Sequence, residues 1–230
     1  MSERGVALVL ALMAILLLSA LGLALILTTS AESMIASNHR NAVEALYAAD
    51  AAADRALDDL AVAVSWSSVF DGSERSAFVD GAPGGPRTLA DASSIDLAQV
   101  VNMANCGKAA ACSAAEITGN ATGDRPWGPN NPVWQLFAFG PLRDLSPGSI
   151  DSPFYVVVLV ADDPSENDDD PLHDGEDPAA NPGAGVLMLR AEAFGPRGTH
   201  KIIELTVARP AIDASQEPGR LRVVSWRELR

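Results

Sequence analysis

The chain reads as an α+β protein: a long amino-terminal α-helix, half of it transmembrane, packed on a carboxyl-terminal antiparallel β-sheet of four to five strands. Three observations carry this reading. Val6 to Leu27 is an uncharged run of 22 residues in which only Ser19 and Gly22 depart from Ala, Val, Leu, Ile and Met. No Gly or Pro interrupts the chain from Leu23 to Asp71. Segments rich in β-branched and alternating apolar residues then follow from Val133 onward.

The helix comes first. A bilayer core is about 30 Å thick and a helix rises about 1.5 Å per residue, so residues 6–27 are long enough to span it. The five residues before them, Met1-Ser2-Glu3-Arg4-Gly5, form a short leader. A cleaved secretory signal would carry a basic leader and a shorter apolar run. Beyond the apolar run, Ala and Leu dominate, and these residues lose little entropy on becoming helical. Apolar positions continue at Met34, Ile35, Val43, Leu46, Tyr47, Leu57, Leu60 and Val64, many of them three or four apart, the spacing of an amphipathic helix. One helix over residues 6–64 is expected, about 90 Å long at the helical rise.

Residues 65–132 change character. They hold the breakers Gly81-Ala82-Pro83-Gly84-Gly85-Pro86 and Trp127-Gly128-Pro129-Asn130-Asn131-Pro132, and read as an irregular connection with one short helix near Ser94 to Ala104. Cys106 and Cys112 fall here, separated by five residues. In an oxidising compartment such a pair reads as a disulfide that staples a small loop, with two unpaired thiols as the alternative.

Residues 133–230 form the sheet region. Strands are expected over Val133 to Phe139, Phe154 to Val160, Val186 to Ala193 and Lys201 to Ala208. Leu221 to Trp226 adds an edge strand. A helix followed by strands with short connections places the helix stripe against an antiparallel sheet. Trp66, Trp127, Trp134 and Trp226 read as core plugs.

Charge is unevenly placed on a chain of formal net charge −14. The loop 162–178 holds nine carboxylates (Asp162, Asp163, Glu166, Asp168, Asp169, Asp170, Asp174, Glu176 and Asp177) and no Lys or Arg. It reads as a solvated acidic loop. The alternative is calcium held by Asp168, Asp170 and Asp174 with backbone carbonyls, although the spacing is not that of an EF-hand. No other cofactor is expected. Arg209, Arg220, Arg222, Arg227 and Arg230 make the tail basic against Asp213, Glu217 and Glu228. No basic stripe supports nucleic-acid binding. His39, His173 and His200 are scattered and no catalytic motif is present, so an enzyme is not expected. Asn120-Ala121-Thr122 fits a glycosylation acceptor, a pattern frequent by chance.

The leader ending in Gly5, the apolar start Val6-Ala7-Leu8-Val9-Leu10-Ala11-Leu12 and its uninterrupted extension resemble the type IV pilin superfamily. The run from Ile35 through Asn38-His39-Arg40 to the Ala-rich stretch with Tyr47 and Asp50 is similar to the amino-terminal region of PilX-type minor pilins. The resemblance implies a pilin-like fold in which residues 65–132 form the variable region between helix and sheet. It implies cleavage between Gly5 and Val6 by a prepilin peptidase. It further implies a single pass through the inner membrane with a periplasmic head, and later a place in the pilus, at its tip. Positive charge on the short side, Arg4 and the α-amino group, agrees weakly with that orientation. The implied partners are other minor pilins and the major pilin through the helix, with a large tip adhesin a further candidate. Major pilins carry a glutamate at the fifth mature position, where this chain has Leu10. Its absence is shared by PilX-type minor pilins and by the K-type minor pseudopilin of type II secretion. Two readings therefore stand beside a role in pilus initiation: a K-type pseudopilin, and a membrane-anchored periplasmic binding protein that takes calcium.

Overall fold

A computed structural model describes residues 3–119, 125–149, 151–166, 168–175, 183–209 and 221–229. Part of the leader, the Asn120 to Thr122 acceptor, Glu176 and Asp177 of the acidic loop, and Asp213, Glu217, Arg220 and Arg230 of the tail lie outside them. The chain forms two compact units, Met1–Asn41 and Ala42–Arg230.

Helix α1 covers Glu3–Val62. In the first unit its large apolar side chains, from Val6 to Leu27, are exposed all the way round. A helix apolar on every side belongs in a membrane or a protein core rather than in water. Thr28 and Thr29 turn their hydroxyls back onto the carbonyls of Ala24 and Leu25, at 2.9 and 2.8 Å. That satisfies both hydroxyls within the helix, as an apolar solvent requires.

In the second unit, the buried stripe of α1 is Ala45, Ala48, Ala49, Ala52, Ala53, Ala56 and Leu60. Small side chains at three- and four-residue spacing let the helix backbone approach the sheet closely. This differs from the expected stripe. Tyr47 is 69% exposed and Val64 94%, and Leu46 and Leu57 only flank the core. The seam is six alanines and Leu60.

The helix is followed by α2 (Trp66–Phe70), a small hairpin of β1 (Pro86–Thr88) and β2 (Ser94–Asp96), and α3 (Leu97–Cys106). The expected short helix starts three residues later and ends two later. Asp96 sets its start, accepting from the backbone N–H groups of Ala98 and Gln99, the arrangement an N-cap provides. Gly107, in the left-handed region at φ 70°, ends it. The hairpin falls in a stretch whose sequence reads as irregular chain, because three-residue strands carry no legible period.

Strands β3 (Gln135–Pro141), β4 (Tyr155–Asp162), β5 (Val186–Gly195), β6 (Thr199–Ala208) and β7 (Arg222–Leu229) form one antiparallel sheet in sequence order. All five expected strands are present. Every residue of β4 is buried, because the sheet is covered on both faces. Val156, Val158 and Val160 point to the face shared with the alanine stripe. Tyr155, Val157, Leu159 and Ala161 join Leu97, Val100 and Trp134 on the opposite face. Residues 76–80 close the β3 edge: Ser76 and Asp80 donate to Phe137 and Phe139, and the Phe139 N–H donates to Phe78. Gly140 permits this approach, since a Cβ there would lie 2.9 Å from the Phe78 ring. Trp66 and Trp134 are plugs, as expected. Trp127 and Trp226 are not: they are 43% and 48% exposed.

Candidate functional site

The sequence-predicted processing site lies on the first turns of α1. Gly5 is exposed, and a Cβ added to it would meet nothing within 4 Å. Val6 and Leu10 follow, also exposed. Leu10 offers neither charge nor hydrogen-bonding group to this surface. What this surface can do is physical rather than chemical. It is a continuous apolar cylinder that is stable only in lipid or against other apolar helices. The candidate site is thus a packing surface, without acid, base or nucleophile.

Farther along, Asn38, His39 and Arg40 lie on the exposed helix surface. Tyr47 is on the outer side, opposite the alanine stripe. Asp50 receives a hydrogen bond at 3.3 Å from the indole N–H of Trp226 on β7, which anchors the last strand to α1.

The acidic loop is organised differently from its sequence reading. Asp162, Glu166 and Asp174 bring carboxylate oxygens within 4.8 Å of one another. Asp168 and Asp170 stay exposed and cap turns through the backbone N–H groups of Asp170 and Leu172. Asp174 is therefore grouped with Asp162 and Glu166 and not with Asp168 and Asp170. Gly183 lies directly on the Glu166 backbone, where a Cβ would come within 2.5 Å of its nitrogen. Asp174 accepts from the Gly185 N–H at 2.7 Å.

Burial, aided by the charges of Glu166 and Asp174 at Asp162 and of Asp168 and Asp174 at Glu166, pushes both carboxyl groups well above the ordinary carboxylate range. Burial also raises Asp174, opposed by the Gly185 hydrogen bond and by the charges of Arg209 and His173. Three such oxygens can share protons or surround a cation. Sequence spacing missed this trio because Asp162 ends a strand while Asp174 returns to it from a turn.

Cys106 and Cys112 are joined, with Cα atoms 6.0 Å apart, across the loop that leaves α3. On the outer face of the sheet, charged side chains form a ladder across β5, β6 and β7. Arg190 bonds Glu192 at 2.7 Å and Glu204 at 3.4 Å. Glu204 also takes the guanidinium of Arg227, and His200 meets Glu192 at 2.8 Å. Nothing in the single-residue pattern marked this ladder, because it exists only through strand register.

Comparison with known families fits the helix. Residues 4–54 match the PilX N-terminal family. This chain carries a PilX-type amino-terminal region. The match covers the whole apolar run and the helix as far as Asp54, and it supports a type IV pilus-related minor pilin. Together with the one helix among the described residues that is long and apolar enough to cross a bilayer, the PilX-type region fits a membrane-anchored protein. No curated protein and no solved structure matches the chain.

Proposed function

We propose that this chain is a minor pilin that acts when a type IV pilus is initiated or at its tip. Its carrying observation is the apolar helix surface that begins beside Gly5, holds Leu10, and lies wholly within the PilX-type region. Cleavage between Gly5 and Val6 would leave residues 6–27 in the inner membrane and the sheet-bearing head in the periplasm. The prepilin peptidase is the first partner, and other minor pilins and the major pilin follow through the helix. Moving the helix out of lipid is tolerable only if neighbouring helices rebury it, since transfer costs about 25 cal/mol per Å² of exposed apolar area. With leucine at position 10, the subunit lacks a carboxylate to pair with the amino terminus of a neighbour. That suits a terminal position better than a place in the shaft. The role is structural and involves no catalytic step.

The test is deletion and complementation in the organism that encodes the chain. Surface pili and secreted proteins are both quantified. Loss of pili, restored by the wild-type chain, is expected. Loss of secretion with pili intact would replace this reading with the K-type pseudopilin.

A further inference from the structure

The row of Arg190, Glu204 and Arg227 lines a cavity of about 850 Å³ on the outer face of the sheet. Met188 of β5 and Leu229 of β7 lie beside the row on the same face, two residues along their strands. The other wall comes from the end of α3, through Met103 and Cys106, and from residues 125–134, through Trp127 and Trp134.

Independent ties hold this second wall. The Cys106–Cys112 link fixes the end of α3. The Asn105 amide brackets the Trp134 backbone, donating to its carbonyl at 3.0 Å and accepting from its N–H at 2.8 Å. The Arg125 guanidinium donates to the carbonyls of Ile117 and Pro132 at 2.8 and 2.7 Å. Asn131 accepts from the Trp127 backbone N–H at 3.1 Å. A preformed cavity of this size, with aromatic walls and a few convergent polar groups, is the usual form of a small-molecule site.

The chemistry of the lining narrows the ligand. Arg190 is held by Glu192 and Glu204, and Glu204 also by Arg227, so two cations and two carboxylates balance across the row. Glu116 is taken up by Lys108, and Arg125 is spent on carbonyls of its own wall. An ion entering here would leave water without a free counter-charge to meet it. The pairing nevertheless leaves hydrogen-bonding capacity over. Among the described residues, Nη2 of Arg190 and Nη1 of Arg227 have no partner. A wholly apolar ligand would strip water from these groups and return no hydrogen bond. Hydroxyl groups both donate and accept, so a hydroxylated edge can meet guanidinium and carboxylate in one row. The half-exposed ring of Trp127, with Met103 and Met188, supplies a surface for an apolar face. We propose that this cavity binds a neutral saccharide, one sugar ring lying with its C–H face on Trp127 and its hydroxyls bonded to Arg190, Glu204 and Arg227. The inference stands on the cavity and does not depend on pilus assembly.

The test is calorimetric titration of the full chain in micelles of an amine-oxide detergent, which carries no sugar. The probes are maltose, cellobiose, lactose and N,N′-diacetylchitobiose. At least one should bind with a Kd of about 1 mM or below, and more tightly than glucuronate, choline or naphthol. Trp127→Ala and Arg227→Gln, both at exposed positions, should each weaken that binding several-fold. Trp127→Phe, which keeps a ring face, should retain most of it, and the change in tryptophan emission that accompanies binding in the wild type should shrink in that variant. Retention of the chain on amylose, cellulose or chitin beads would assign the ligand to a glycan chain; disaccharide binding without retention would assign it to a free sugar. The proposal is overturned by no heat beyond that of empty micelles with any of the four probes. Tighter binding of glucuronate, choline or naphthol would also overturn it, as would binding that neither Trp127→Ala nor Arg227→Gln weakens.

Discussion

The indole N–H of Trp66 donates to the carbonyl oxygen of Leu60 at 3.2 Å, entirely within the core. This bond answers one of the carbonyls left unpaired as α1 ends, and it turns the chain so that Trp66, Val69 and Phe70 plug the space beneath the sheet. The guanidinium of Arg209 lies over the same ring, 4.3 Å from its centroid. Helix end, plug and last residues of the β6 segment therefore meet at one side chain.

Trp66→Ala is expected to destabilise the folded head by about 3–5 kcal/mol through the cavity it leaves. Trp66→Phe, which keeps most of the ring but loses the donor, should cost less. Thermal melts of the full chain in micelles, followed by near-ultraviolet circular dichroism, provide the comparison.

The alanine stripe makes a sharper prediction. Ala49 is fully buried between helix and sheet, so Ala49→Leu should cost about 1–3 kcal/mol by forcing the two apart. Tyr47→Ala, on the exposed side of the same turn, should stay within about 0.5 kcal/mol of wild type. If the order were reversed, large side chains and not alanines would face the sheet.

These examples show what the sequence makes legible. The apolar run of β4 and the break-free helix are periodic over many residues, so their type could be read directly. The alanine seam could not, because alanine is equally at home on either side of a helix. The Asp162–Glu166–Asp174 trio and the Arg190–Glu204–Arg227 ladder depend on a loop return and on strand register. Neither follows from spacing along the chain. The start of α3 is legible in Asp96 before Leu97, an N-cap signal.

The acidic trio predicts a pH effect. A carboxyl raised in the folded state holds its proton while the unfolded chain, with a pKa near about 4, has lost it. Its contribution is thus most favourable in acid and declines as pH rises, by about 1.4 kcal/mol per pH unit for each proton retained. Burial raises all three; the charges of Glu166 and Asp174 add to the rise at Asp162, those of Asp168 and Asp174 to the rise at Glu166, while the Gly185 N–H, Arg209 and His173 oppose it at Asp174. Asp162→Asn should therefore gain stability on wild type between about pH 5 and pH 8, measured as the difference in melting temperature. A difference that stays flat, or that moves in favour of the wild type as pH rises, would contradict the raised carboxyl groups.

The Cys106–Cys112 link closes a short loop behind α3. On chain-entropy grounds a loop of this size contributes about 2 kcal/mol. Cys112→Ser should lower stability by about that amount, and reductant should lower the wild type alone. A melt unmoved by reductant would mean that the link contributes nothing.

The proposed role requires that the helix be released from its leader. Intact-mass and amino-terminal peptide analysis of the chain from membranes, with and without the prepilin peptidase, decides this. A mature chain starting at Val6, reverting to the uncleaved form when the peptidase is deleted, is the predicted result. An amino terminus at Met1 in both strains, or one near Glu32, would contradict it.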